Sequence, residues 1–195
     1  MPSRLRKLPP VAAALLAALA LSACGDSHTK VTTGTYAGES GANAPYLDVG
    51  PLKYEVQLSR QLNPNNSEDA AYLQGLAPSE KALEPGQEWF AVFLQVYNTT
   101  SQPSQAATNV TISDTQHNVY APLAPDQTNL FAYRGGPVPA KGQLPEAGTI
   151  ATSGPTQGAL LLYKIRVVSL DNRPLEVKIT NPSDLAESAA AELDV

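Results

Sequence analysis

Cysteine is almost missing from this chain: among 195 residues only Cys24 carries a thiol. No disulfide can staple one copy to itself, so a folded core must rest on apolar burial, which a domain near 150 residues can supply. Histidine is nearly as scarce, with His28 and His117 alone. Zinc centres built from Cys and His at defined spacings are thereby excluded. A nucleophilic triad would have to be built on His117, which stands in the turn-like "DTQHN" with no Gly-x-Ser-x-Gly elbow to accompany it. Phosphate loops are absent as well, since Gly135-Gly136 runs into Pro137-Val138-Pro139 and not into a Gly-Lys-Ser/Thr sequence. Basic side chains number thirteen against eighteen acidic ones, a net charge of -5 that disfavours nucleic acid as a partner.

No apolar stretch here is built to stay in a bilayer. Val11 to Ala23 runs thirteen residues with only Ser22 polar, and as a helix it would span about 20 Å of a core about 30 Å thick. Before it stands "MPSRLRKLPP", with Arg4, Arg6 and Lys7 and no acid. A basic segment followed by a short apolar one is the pattern of a secretory signal peptide. The residues that end it, Leu21-Ser22-Ala23-Cys24, resemble the lipobox of bacterial lipoproteins. That resemblance implies a diacylglyceryl group on the Cys24 sulfur and cleavage before Cys24. The residue types suit the chemistry, because Ser22 and Ala23 give a peptidase room and only a thiol is nucleophilic enough to take the lipid. Acyl chains together hold a protein to a membrane where one is marginal. Removing residues 1–23 takes three basic side chains with it, leaving ten against eighteen acidic and a net charge of -8. Attachment would come from the lipid and not from the protein's charge.

Residues 25–50 are rich in Gly, Ser, Thr and Ala without sustained periodicity and read as a flexible tether. From Leu52 the pattern changes. Leu52, Tyr54, Val56 and Leu58 alternate with Lys53, Glu55, Gln57 and Ser59, which predicts a half-buried strand. A short helix is expected over Ala71, Leu73 and Leu76, ending near Gly75 and Pro78. Glu88 to Thr100 is apolar on both faces for most of its length, as a central covered strand would be. Shorter strands are expected from Asn109, Asn118 and Thr128. Ala159 to Val168 and "LEVKIT" are expected to form a terminal hairpin around Asp171-Asn172-Arg173-Pro174. The alanine-rich, acidic 181–195 reads as a tail. Short strands with turn residues between them and hardly any helix predict an all-β fold, an immunoglobulin-like antiparallel β-sandwich of about seven strands over 52–180. Trp89 is expected to fill the core where related folds place a disulfide.

The order of strand, Glu84-Pro85-Gly86-Gln87 turn, long strand ending Tyr97-Asn98-Thr99-Thr100, strand ending Ser113-Asp114, Tyr120-Ala121-Pro122 and Gly-bounded strand resembles uncharacterised lipid-anchored or secreted bacterial immunoglobulin-like domains. The resemblance spans about Leu52 to Thr180, and the proline-rich 122–157 region departs from it. It implies an extracytoplasmic location at the cell membrane and a role in binding or scaffolding.

No catalytic residue, metal ligand or cofactor is expected. Asn63, Asn65, Asn66, Ser67, Glu68 and Asp69 crowd oxygens into one loop, without the order of an EF-hand. Glu55, Asp114 and Glu176 read as outward, solubilising strand acids. Aromatic side chains toward strand ends, Tyr97, Tyr120, Phe131 and Tyr133, are the candidates for ligand binding. The function expected is that of a lipid-anchored envelope protein that contacts another envelope protein or a wall polymer. A small-ligand receptor or transport accessory is the alternative, and a hydrolase comes third.

Overall fold

Two-sided burial of one strand organises the molecule. The structure is a computed structural model that describes residues 29–36, 46–154 and 156–193; Cys24 and its lipobox lie outside them. The described strands are β1 (Thr29–Tyr36), β2 (Leu47–Val49), β3 (Leu52–Leu62), β4 (Gln87–Asn98), β5 (Ser104–Ala106), β6 (Val110–Ser113), β7 (Val119–Tyr120), β8 (Gly136–Val138), β9 (Gln143–Leu144), β10 (Ala159–Arg166), β11 (Leu175–Thr180) and β12 (Ser188–Leu193). Two short helices, α1 (Ser67–Tyr72) and α2 (Ile150–Ser153), interrupt them. One sheet has the order β1-β12-β11-β6-β7, the other β10-β4-β3-β2 with β9 also on β4, and β5 pairs with β8 as a small ribbon. All pairs are antiparallel except β1 with β12. The fold is an all-β sandwich.

Between the sheets, Tyr54, Val56, Phe90, Val92 and Leu94 meet Val110, Ile112, Val177 and Ile179, all buried. A second apolar cluster lies on the opposite face of β4, where Trp89, Ala91 and Phe93 join Leu62, Leu160 and Leu162. Tyr72 of α1, Leu76 and Phe131 cover it, with Tyr72 edge-on to both Phe93 and Phe131. Trp89 therefore faces this outer cluster and not the inter-sheet core. The same strand period explains why: Phe90 points inward, so its neighbour must point out.

A bulge in β3 corrects the simple alternation. The pairing with β4 shifts between Val56 and Leu58, so that Val56 faces the inter-sheet core while Leu58 sits opposite Phe93 and packs on the outer cluster. One extra residue moves every later side chain to the other face.

Other expectations are also corrected. The residues read as a tail contain β12, which pairs along its length with β11 and buries Ala189, Ala191 and Leu193. Its alanines favour helix intrinsically, but small side chains fit between two neighbouring strands, and tertiary packing decides. The residues read as a tether contain β1 and β2, and the sandwich therefore begins before Leu52. β10 and β11 do not form a hairpin, because they belong to different sheets. A 3-10 turn over Val167–Leu170 carries the chain across, with Ser169 fully buried. The strand expected from Thr128 is a loop that touches β10 by a single bridge, Ala132 to Leu160. The helix near Ala71 is confined to Ser67–Tyr72, capped by Asn66, whose side chain accepts from the backbone N–H groups of Glu68 and Asp69.

Candidate functional site

The four candidate aromatics occupy four different places, and no single pocket unites them. Phe131 packs into the outer cluster against Tyr72, with ring centroids 4.9 Å apart. Tyr133 lies against the inter-sheet core and donates its hydroxyl to the carbonyl of Ala107 at 2.7 Å. Burial, and then the neighbouring hydroxyls of Tyr54 and Tyr163, push its pKa well above the ordinary value. Tyr54 accepts from the Ala107 N–H at 2.8 Å, and Tyr163 donates to the Val110 carbonyl at 3.1 Å. Three phenols thus bond the backbone at Ala107 and Val110, on the way from β5 into β6, and satisfy buried peptide groups there. Tyr97 sits on the outer face of β4, donating to Gln95 Oε1. Burial, followed by the adjacent Glu55 carboxylate, raises its pKa.

Tyr120 belongs to a buried polar chain at the far end of the sandwich. Ser169 Oγ lies 2.6 Å from Asp114 Oδ2 and 2.6 Å from the Tyr120 hydroxyl. Asp114 also accepts from the Asn118 side chain and from the backbone N–H groups of Gln116 and Asn118. Burial alone would raise the Asp114 pKa, but the bonds from Ser169, Asn118 and Gln116 outweigh it and hold the carboxyl at about 2. His117 stands in the same hairpin with φ of 62°, exposed, its N–H bonded to the Asp114 carbonyl. Asp114 and Glu55, read from the sequence as outward acids, are only 4% and 3% exposed.

Two concavities lie among the described residues, and of the four candidates only Tyr133 lines one of them. A cavity of about 390 Å³ is lined by Thr108, Pro122, Pro125, Tyr133, Arg134 and Leu161. The Arg134 guanidinium is already spent there on the carbonyls of Pro125, Asp126 and Asn129. A groove of about 530 Å³ opens where the end of β3 meets the start of β4, and its polar lining includes Arg60, Gln61, Asn63, Asp69 and Glu88 beside Trp89. Asp69 is buried, paired with Arg60 at 2.6 Å and bonded by the Asn63 N–H at 2.7 Å. Burial would raise its pKa, but these two partners bring it below the usual carboxylate range. Glu88 differs: Gln61 Nε2 reaches both of its oxygens at 3.1 Å, and burial raises its pKa against that one neutral donor. The groove therefore offers one carboxylate held by a cation and one held only by an amide. A polar ligand with a positive group or several hydroxyls suits such a lining.

Sequence reasoning missed this groove because its residues come together through the pairing of Gln61 with Phe90 and Leu62 with Trp89 across β3 and β4. The one signal available was the single Trp89 next to an acid. The oxygen-rich 63–69 loop serves α1: Asn63 caps the Asn65 N–H, Asn66 caps the helix, and Asp69 ties back to Arg60. Among the described residues, no three His, Cys, Asp or Glu side chains are grouped to hold a metal ion.

No protein-family model matches this chain, and no curated protein is similar to it. Among solved structures, a Bacillus subtilis protein provisionally described as a lipoprotein, ycdA, is 11% identical over 78% of this chain, with a TM-score of 0.49. This chain spans only 39% of that protein's length. The yjhA protein of Bacillus subtilis is 10% identical, covering 77% of this chain and 97% of its own, with a TM-score of 0.50. An uncharacterised β-sandwich protein from Clostridium difficile is 10% identical over 86% of this chain and 95% of its own, with a TM-score of 0.44. The likeness to yjhA is one of fold.

Proposed function

We propose that this chain is a lipid-anchored protein of the bacterial cell envelope, attached through Cys24 on the extracytoplasmic side, whose sandwich acts by binding another envelope component and not by chemistry. The observation that carries the reading is the leader: a basic segment, a short apolar run and Leu21-Ser22-Ala23-Cys24 stand directly before a β-sandwich. The groups from which a nucleophilic triad would be built do not meet at either of these concavities. Asp114 and Ser169 bond to each other within a structural chain, and His117 lines neither concavity. The test is Cys24→Ser expressed in a bacterial host fed labelled palmitate. The unaltered chain should carry the label and sediment with membranes, and the variant should do neither; a variant that still sediments with membranes overturns the anchor.

The groove favours a second reading, a receptor for a small polar ligand. Its size is within the roughly 300 to 1,000 Å³ of ligand sites, and Trp89 is the only tryptophan in the chain. Tryptophan emission, excited selectively over the tyrosines, therefore reports on Trp89. Titration with soluble cell-wall oligosaccharides should change Trp89 emission in the unaltered chain and not in Glu88→Gln. Unchanged emission at saturating concentrations, with capture of an envelope protein by crosslinking in cells, would favour the scaffold.

A further inference from the structure

We propose that one end of the sandwich, the end carrying the Asp184–Glu187 turn, lies against the bilayer, with Leu185 and Ala186 entering the lipid headgroup layer. This rests on acylation of Cys24. Only five Cα steps separate Cys24 from Thr29, a reach of about 18 Å at full extension. Thr29 begins β1 and pairs with Ser188, the first residue of β12. The lipid therefore holds the fold by the corner at which the β11–β12 turn also stands.

That turn is shaped for contact with lipid. Its tip is Leu185, 77% exposed, beside the exposed Ala186. The acids on either side are both held by hydrogen bonds: Asp184, exposed, accepts the Ala186 N–H at 3.1 Å within the turn, and Glu187, half-buried, accepts the Gly50 N–H at 2.9 Å and the Asn181 side chain at 2.6 Å. The Glu187 charge is drawn back onto the fold, the Asp184 carboxylate is turned to the backbone of its own turn, and an apolar tip is left forward. Pro51 and Lys141 lie at the same end, both exposed, with the Lys141 ammonium donating to the Thr99 carbonyl.

Exposed apolar side chains also occur at the other end, at Val119, Val167 and Val168. Chain length separates the two. The twelve residues of β4 run from Asn98 at the anchored end to Gln87 at the other, about 40 Å of extended strand. That exceeds the reach of residues 25–28, so the far valines cannot seat end-on in the membrane while Thr29 stands at the opposite end, and the proposed orientation turns the groove at Arg60 and Glu88 away from the bilayer.

The test uses the full acylated chain in phosphatidylcholine vesicles with and without brominated acyl chains. Because Cys24 is the only native cysteine and carries the lipid, a cysteine introduced by Leu185→Cys or Val119→Cys is the one free thiol, and it can take an environment-sensitive fluorophore. The label at position 185 should shift to shorter wavelength and lose most of its intensity to bromine, and the label at 119 should do neither. Ala186→Cys, on the same exposed turn, should follow 185, and unchanged Trp89 emission verifies the fold of each variant. Flotation with the vesicles but no quenching at 185 or 186 overturns the orientation alone. Failure to float overturns the anchor, and the orientation with it.

Discussion

Ser169 has a single hydroxyl hydrogen, and Asp114, an acceptor only when ionised, takes it. The Tyr120 hydroxyl must then donate to Ser169, and it accepts in turn from the Arg166 N–H at 3.4 Å. The direction of the whole chain depends on the Asp114 charge, which yields a pH prediction. Its carboxyl is held at about 2 in the fold against an ordinary 3.8. A lowered folded-state pKa stabilises the protein above the unfolded value and ceases to do so as pH falls through the folded one. Urea midpoints should therefore hold steady from pH 7 to about 5 and show an Asp114-dependent loss between about pH 4 and pH 2, a component missing in Asp114→Asn. Tyr54 supports a second expectation. Tyr54→Phe leaves the buried Ala107 N–H without its acceptor and should cost about 1 to 3 kcal/mol by urea denaturation. Phe131→Tyr, at a half-buried position, should cost less.

At the scale of elements, β12 and Gly158 give the sharpest expectations. Truncation after Pro182 would do little if 181–195 were a tail. Since β12 is a buried strand between β1 and β11, the truncated chain should lose its cooperative urea transition. Gly158 has φ of 104°, and a Cβ there would stand 2.9 Å from the Leu94 nitrogen. Gly158→Ala should therefore destabilise the fold by about 2 kcal/mol or more, from left-handed strain plus overpacking, as thermal denaturation would show. β12, which reads as a tail, marks the limit of what was legible in the sequence. Strands with large apolar side chains announced themselves by period, as β3, β4, β10 and β11 did, whereas β1 (TKVTTGTY) and β12 (SAAAEL), of similar length, are built from Thr, Gly and Ala and did not. Strands of two or three residues carry no period, so β5, β8 and β9 could not be seen. The bulge near Gln57 was hidden for a different reason: Leu58 continues the apolar alternation in sequence while pointing to the other face. Partners across strands were the least accessible of all, which is why Arg60, Gln61, Asp69 and Glu88 were not grouped in advance.

For the whole molecule, the outer cluster matters as much as the inter-sheet core. Leu58, Trp89, Phe93, Leu160 and Leu162 turn the exposed face of one sheet into a covered one, so the sandwich gains a third layer from α1 and the loops after it. Tyr72→Ala should remove the centre of that cover and cost about 3 to 5 kcal/mol, on the scale of other buried aromatic truncations, with Trp89 emission shifting to longer wavelength as water reaches it. The candidate aromatics explain the same layer, since Phe131 was legible as a loop aromatic but its role is to close this cover. β4, flanked by β3 and β10 and buried on both faces, has a further consequence in time. Its amide hydrogens from Phe90 to Leu94 can exchange with deuterated solvent only when the entire sandwich opens, so their exchange free energy should equal that of global unfolding. β7, a two-residue edge strand, should exchange through local fraying long before. Mass-resolved exchange would thus date the opening of each layer separately, and uniform rates across β4 and β7 would show that the layers come apart together.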